Sequence, residues 1–363
     1  MEIFMSNNVD LKNVVSQFEL ENNVGAYGNG HINDTYLIEP KKYILQRINT
    51  SVFPDAENLM KNIVSVTEFL KKKIIAEGGD PERETLSVIK TKDGKDYYKD
   101  EEGRCFRVYK YITDSLSFEV AENLDQIYMS AKGFAKFQQR LSDFPAENLH
   151  EIIKDFHNTP VRFKNLEKAV KEDKMGRVKN VEAEIEFAFS QKSWISAVVD
   201  GIADGSIPVR VTHNDTKINN ILFDAKTKEA VCVIDLDTVM PGSMLYDFGD
   251  ALRMGASTAA EDEQDLSKVS FNLDAFRAFS KGYLEEMRDK LTKREIELLP
   301  LSAKLLTYEC GTRFLTDYLE GDTYFKIHRE GHNLDRARTQ FKLVADMTEK
   351  FDEMKSIINN LDK

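Results

Sequence analysis

The chain has 363 residues, with 50 Lys and Arg against 62 Asp and Glu for a formal net charge of −12, and 41% hydrophobic residues. That length allows about two domains, and that apolar share excludes a disordered chain. The acidic balance disfavours general binding to a phosphate backbone and an anionic membrane surface, so neither nucleic acid nor membrane is an expected partner. Three cysteines, Cys105, Cys232 and Cys310, lie far apart with no C-x-x-C pair. A zinc ribbon and a thioredoxin-type redox pair are thereby excluded, and buried reduced thiols are expected. The first residues show neither a basic n-region nor an apolar h-region, and no apolar run approaches the ~18 residues of a spanning helix. A cytoplasmic protein is expected.

In chain order, Asn23 to Gly30 is a turn-rich stretch with three glycines, followed by a strand over His31 to Ile38. Tyr43 to Ile48 is a second β-type run, and the two suggest a hairpin. Asp55 to Lys73 has helical spacing, with Leu59, Ile63, Val66, Phe69 and Leu70 on one face and Pro54 near its start. Short strands are predicted over Thr85–Lys90, Asp96–Lys99 and Cys105–Tyr111, separated by Asp93-Gly94 and Glu102-Gly103 turn signals. From Asp114 onward the texture becomes helical, over Leu124–Leu141, Asn180–Gly201, Phe271–Met287, Lys293–Tyr318 and Leu334–Leu361. One strand-rich island, Val209–Val239, interrupts it. No internal repeat and no low-complexity tract is visible.

That island carries the chemistry. It holds V-T-H-N-D-T-K-I-N-N-I-L-F-D (Val211 to Asp224), then V-C-V-I-D-L-D-T (Val231 to Thr238). The pattern H-x-D-x-x-x-x-N is filled by His213, Asp215 and Asn220, and a second strand ends in Asp235. Phosphoryl transfer from ATP needs a carboxylate to orient the acceptor hydroxyl and oxygen ligands to hold Mg²⁺ against the phosphates. Asp215 fits the first task, while Asn220 and Asp235 supply hard oxygen donors for the second. Asp237, two residues along a strand, would point the same way and support the metal directly or through water. Asp and Asn clusters in loops commonly serve only as turns and caps. Four elements in order (motif, apolar strand, turn, V-I-D) make the signal specific. His213 reads as a loop-holder, not a proton carrier.

These residues resemble the aminoglycoside phosphotransferase and choline kinase group, and more closely the bacterial N-acetylhexosamine 1-kinases. L-Q-R-I-N-T-S-V-F-P-D (Leu45 to Asp55), H-N-D-T-K-I-N-N (His213 to Asn220) and V-I-D-L-D-T-V-M-P-G (Val233 to Gly242) carry the resemblance. Y-D-F-G-D-A-L-R (Tyr246 to Arg253) and G-T-R-F-L-T-D-Y-L-E-G-D-T-Y-F-K (Gly311 to Lys326) complete it. The resemblance implies a bilobal, protein-kinase-like α+β fold with a small β-rich lobe over 1–111 and a helical lobe over 112–363. It implies ATP and Mg²⁺ as cofactors and N-acetylglucosamine or N-acetylgalactosamine as acceptor, giving the sugar 1-phosphate. Asp215 becomes the catalytic base, Asn220 and Asp235 the metal ligands, and the literal D-F-G at Asp247 a brace for the catalytic loop. The turn containing Gly28 and Gly30 would cover the ATP phosphates. Sugar recognition falls by resemblance on His31, Arg313 and Tyr324, beside Asp215.

One departure stands out. Kinases carry a phosphate-gripping Lys on the third strand, whereas here that strand reads Y-I-L-Q-R-I. Gln46 or Arg47 occupies the neighbourhood, with Glu57 or Glu68 as a candidate partner on the following helix. For Arg313 the plain alternative is an ion pair with Glu309, and for Tyr324 a core aromatic. Rival functions are kinases of choline, homoserine, ethanolamine or aminoglycosides on the same machinery, and a catalytically silent scaffold.

Overall fold

The structure, a computed structural model, describes residues 9–20, 23–28, 32–40 and 42–361. A helix α1 (Leu11–Ser16) precedes strands β1 (Val24–Ala26), β2 (Asp34–Ile38) and β3 (Tyr43–Ile48). Helix α2 (Ala56–Ala76), a turn of helix α3 (Pro81–Glu84) and strands β4 (Val88–Ile89), β5 (Tyr98–Lys99) and β6 (Cys105–Lys110) follow. These strands form one antiparallel sheet in the order β1-β2-β3-β6-β4, with β5 also on β6. Strand β7 (Ser115–Leu116) joins the hairpin of β9 (Ile221–Asp224) and β10 (Ala230–Val233), while β8 (Arg210–Thr212) pairs with β11 (Met240–Gly242). The remainder is helical: α4 (Leu124–Arg140), α5 (Thr159–Glu172), α6 (Glu182–Ser190), α7 (Ala197–Ala203), α8 (Met244–Gly255), α9 (Leu273–Met287), α10 (Lys293–Glu320), α11 (His332–Glu349) and α12 (Phe351–Asn360). This is the kinase-like arrangement of a β-rich N-terminal sheet and a mainly helical C-terminal region. Among the described residues no helix is long and apolar enough to cross a membrane.

Side-chain alternation along β3 and β6 sorts the sheet into two faces. Leu45, Phe106 and Val108 pack under α1 with Val14, Val15 and Phe18. Ile48, Cys105 and Tyr109 face the other way, into a middle cluster with Leu59, Ile63, Val66 and Leu70 of α2. Asp55 caps α2, its carboxylate accepting from the Asn58 amide at 3.0 Å. The middle cluster also takes in Ile112, Phe134, Val211, Ile221 and Phe223, so apolar packing runs continuously across the position expected to divide the chain. Asn62 of α2, fully buried, fixes this junction: its side-chain amide donates to the His150 carbonyl at 2.8 Å and the Val239 carbonyl at 2.9 Å.

The third core joins the C-terminal helices around α10, which packs on α5, α8 and α11. Asn180–Gly201 is two helices, not one, because residues 191–196 form turns between α6 and α7. Leu334–Leu361 likewise breaks at Lys350, which closes α11 and opens α12. Helices α5 and α8 were not expected. Contact between α8 and α10 is close enough that a Cβ on Gly249 would stand 2.7 Å from the Ser302 carbonyl carbon. Gly249→Ala is expected to cost about 1–3 kcal/mol through overpacking, exceeding the helix propensity that alanine gains. A denaturation midpoint equal to or above that of the parent would contradict this packing.

Candidate active site

The island folds as a loop between β8 and β9 and a second loop after β10, locked to each other. Asn214 adopts the left-handed conformation, at φ 64°, which asparagine tolerates better than most residues. Its side-chain amide donates to the Thr238 carbonyl at 2.9 Å, and the Thr238 hydroxyl donates to the His213 carbonyl at 2.6 Å. Asp247, at the start of α8, accepts from the backbone amides of His213 at 2.8 Å and Asn214 at 2.7 Å, and from the Gln138 side chain. Asp250, one turn later, accepts from the Thr216 amide at 2.9 Å. Burial pushes the Asp247 carboxyl up, and the His213 ring and these amides oppose the rise. The D-F-G aspartate thus braces the loop from beneath.

His213 is fully buried against Phe134 and Phe137, with Nε2 2.9 Å from the Ile234 carbonyl. Nδ1 accepts from the Asp215 amide at 3.3 Å. A carbonyl on one nitrogen and an amide on the other assign the hydrogen to Nε2, so both ring nitrogens are taken up in holding the two loops together.

The Asp215 carboxylate accepts from the Asn220 side chain at 3.0 Å, and Lys217 Nζ lies 2.8 Å from its other oxygen. Asn220 also donates to the Asp215 carbonyl at 2.8 Å, and its side-chain oxygen has no hydrogen-bond partner among the described residues. Desolvation works against the Lys217 ammonium, and the charge and hydrogen bond of Asp215 more than offset it, raising its pKa. Lys217 was not singled out from the sequence. Its position two residues beyond Asp215 was the available signal, and only the folded loop turns it back.

Asp235 has φ 58° and ψ 57°, which ends the strand at Val233 and starts a turn of 3₁₀ helix over Leu236–Thr238. The expectation that Asp237 continues a strand and points with Asp235 therefore fails. Asp235 is exposed to solvent, and among the described residues no hydrogen bond or ion pair holds its carboxylate. Surrounding protein, followed by the charges of Asp237 and Asp215, pushes that carboxyl up to about 6. Asp237 is instead buried, ion-paired with Arg107 and accepting from the Asn33 side chain at 2.6 Å.

On the third strand it is Gln46, and not Arg47, that turns to the inner face, beside Arg107. Gln46 and Arg107 are register partners on β3 and β6, on the inner face with Ile48 and Tyr109. The Gln46 side-chain oxygen accepts from Arg107 at 2.8 and 3.0 Å. Arg47 lies on the opposite face, paired with Asp34, and does not reach the cleft. Glu57 and Glu68 both project outward and pair along their own helix with Lys61 and Lys71. Gly28 sits in the β1–β2 turn with φ 71°, a conformation that favours glycine. Gly30 and His31 lie outside the described residues.

Arg313, on α10, does not pair with Glu309. The Glu309 carboxylate is buried and taken by His157 Nδ1 at 2.9 Å and the Thr159 hydroxyl at 2.6 Å, while His157 Nε2 lies 3.3 Å from the Asn214 carbonyl. Arg313 is surrounded by the rings of Phe156, Tyr324 and Phe325, 5.3–5.8 Å from their centroids, and its guanidinium makes no ion pair or hydrogen bond among the described residues. Tyr324 is 66% exposed and is not a core aromatic. Its loop is pinned by Asp317, which accepts from the amides of Thr323, Tyr324 and Phe325 at 2.8–2.9 Å.

Solved structures share this architecture. A microcompartment-associated aminopropanol kinase matches with a TM-score of 0.66 at 14% identity, covering 95% of this chain and 98% of that one. An amicoumacin kinase in complex with AMP-PNP, Ca²⁺ and Ami matches at 0.61, 13% identity and 94% of each chain. An ADP-bound aminoglycoside phosphotransferase matches at 0.53, 14% identity, 93% of this chain and 98% of that one. At such identities the likeness is one of fold. The sequence profile described as "Phosphotransferase enzyme family" matches residues 24–282, most of the chain, including the loops that carry Asp215 and Asp235 but not Arg313 or Tyr324, and the chain belongs to that family.

Proposed function

We propose that the protein phosphorylates the anomeric hydroxyl of N-acetylhexosamines, N-acetylglucosamine or N-acetylgalactosamine, with ATP and Mg²⁺, acting in the cytoplasm. The observation that carries the acceptor class is Arg313: a guanidinium with no ion pair or hydrogen bond among the described residues, walled by aromatic rings, one helical turn from Glu309 and linked through His157 to the residue before Asp215. Sugar hydroxyls and an acetamido carbonyl need such a donor, and Tyr324 offers a face for the ring. A cationic acceptor such as an amino alcohol would be repelled there, which separates this chain from its aminopropanol kinase neighbour.

Asp215 would accept the acceptor's proton as the hydroxyl attacks. Asn220 and Lys217 keep the carboxylate aimed, and Lys217 spreads the charge that develops at the transferred group. The donor set fits a magnesium ion: among the described residues the Asp235 carboxylate and the Asn220 side-chain oxygen have no partner. When bound, Mg²⁺ would neutralise phosphate charge. Residues 1–111 would cover the nucleotide through Gly28, with Gln46 and Arg107 on the inner face and Asp237 bracing the metal loop instead of ligating. The test is ADP release with ATP and Mg²⁺ across a sugar panel, with phosphorus NMR of the product. An anomeric 1-phosphate is expected from N-acetylhexosamines. Turnover of choline, homoserine or aminoglycosides alone would refute the acceptor assignment.

A further inference from the structure

Arg313 does not stand alone. On α5, Arg162 donates through Nη2 to the Phe156 carbonyl at 2.9 Å, on the same residue whose ring lies 5.5 Å from the Arg313 guanidinium. The Arg162 Nε is buried with no hydrogen-bond partner among the described residues, and Arg162 makes no ion pair there. Glu309 and Asp155 favour the Arg162 cation from a distance, yet among the described residues no carboxylate pairs with either guanidinium. Glu309 is the buried carboxylate closest in the fold, with both oxygens already taken. Asp155 is occupied by the Asn158 side chain at 3.0 Å. Burial and then the charge of Arg313 disfavour the Arg162 cation. Two cations sharing one aromatic residue, one with a buried donor facing no acceptor, are costly unless an anion lies against them.

We infer that Arg162 and Arg313, arranged about Phe156 beside the catalytic loop, form an anion subsite that takes a carboxylate or phosphate carried by the acceptor or its product. The inference rests on the reading that the acceptor lies between Asp215 and Arg313, and it extends that reading from neutral hexosamines to acidic ones. Guanidinium forks bind such groups through paired, charge-assisted hydrogen bonds. Neither a hydroxyl nor an acetamido oxygen would offset two positive charges.

The experiment measures dissociation constants of the full chain by calorimetry without nucleotide, for matched pairs. These are glucuronate against glucose, N-acetylglucosamine 6-phosphate against N-acetylglucosamine, and the 1-phosphate against the same neutral sugar. At least one anion is expected to bind about tenfold or more tighter than its neutral counterpart. Glucuronate or the 6-phosphate would identify an acidic acceptor as the source, and the 1-phosphate alone a product-holding role. Arg162→Gln is expected to erase the ratio, and Arg162→Lys to retain part of it at an unchanged melting temperature. Equal binding of all pairs by the parent protein, or a ratio that survives in Arg162→Gln, overturns the subsite. If Arg162→Gln does not fold, loss of most of the ratio in Arg162→Lys still supports the fork, and a fully preserved ratio overturns it. Absence of any N-acetylhexosamine turnover alongside an intact anion preference would discard the sugar reading and leave the subsite standing.

Discussion

Asp215→Asn is expected to lower kcat by about 10²- to 10⁴-fold, the range that a positioned acid–base group contributes. The substitution keeps the shape of the side chain and removes its capacity to accept a proton. It also turns a charged acceptor into an amide, which must face the Asn220 amide at 3.0 Å and the Lys217 ammonium at 2.8 Å. Lys217 loses its counter-charge, yet it remains partly exposed, so stability should change little. A group acting only in the transition state depresses kcat and kcat/KM together, with ATP affinity preserved. Steady-state kinetics with nucleotide binding measured separately checks each part. Turnover within a few-fold of the parent would remove Asp215 from the base role, and a matching loss of ATP binding would show a collapsed loop instead.

Why this loop was legible in the sequence, while its support was not, follows from distance along the chain. Asp215 and Asn220 are five residues apart, and one turn of backbone brings them together. The helix over Ala56–Ala76 was legible because Leu59, Ile63, Val66 and Leu70 repeat with its period and Asp55 caps it. Tyr43–Ile48 was legible as a strand, but Y-I-L-Q-R-I puts apolar residues on both faces, so its pattern does not say whether Gln46 or Arg47 turns inward. Only the packing of Leu45 under α1 and Ile48 against α2 decides for Gln46. Helix α5 opens at Asn158-Thr-Pro, a capping signal that the sequence carries, with a weaker apolar period behind it than α2 has. The left-handed turn at Asp235 has no such signal, because an aspartate after a strand is equally compatible with continuing it.

Arg107 was the least legible of all, since its partners Gln46 and Asp237 are remote in sequence, and it sets the largest expected effect on stability. The guanidinium is 1% exposed and Asp237 3% exposed. Burial works against the charge on Arg107, and Asp237 more than restores it, so the guanidinium stays charged. Removing one member leaves the other as an uncompensated buried charge, a loss of about 3–5 kcal/mol, whereas an exposed pair would cost under about 1 kcal/mol. Arg107→Met is therefore expected to lose about 3–5 kcal/mol in denaturant unfolding. The double variant Arg107→Met with Asp237→Leu should recover a large part, because neither charge is then stranded. A single-variant loss below about 1 kcal/mol, or a double variant no better than the single, would contradict the pair. The position of the pair gives it a second consequence. Asp237 lies two residues beyond Asp235, and Arg107 and Asn33 come from the N-terminal sheet, so the sheet reaches the metal loop through these bonds. In Arg107→Met at a temperature where the fold persists, ATP affinity should therefore fall with kcat, while in the double variant stability returns and the kinetic defect stays. That divergence separates a brace that places the sheet over the metal loop from one that only stabilises the fold.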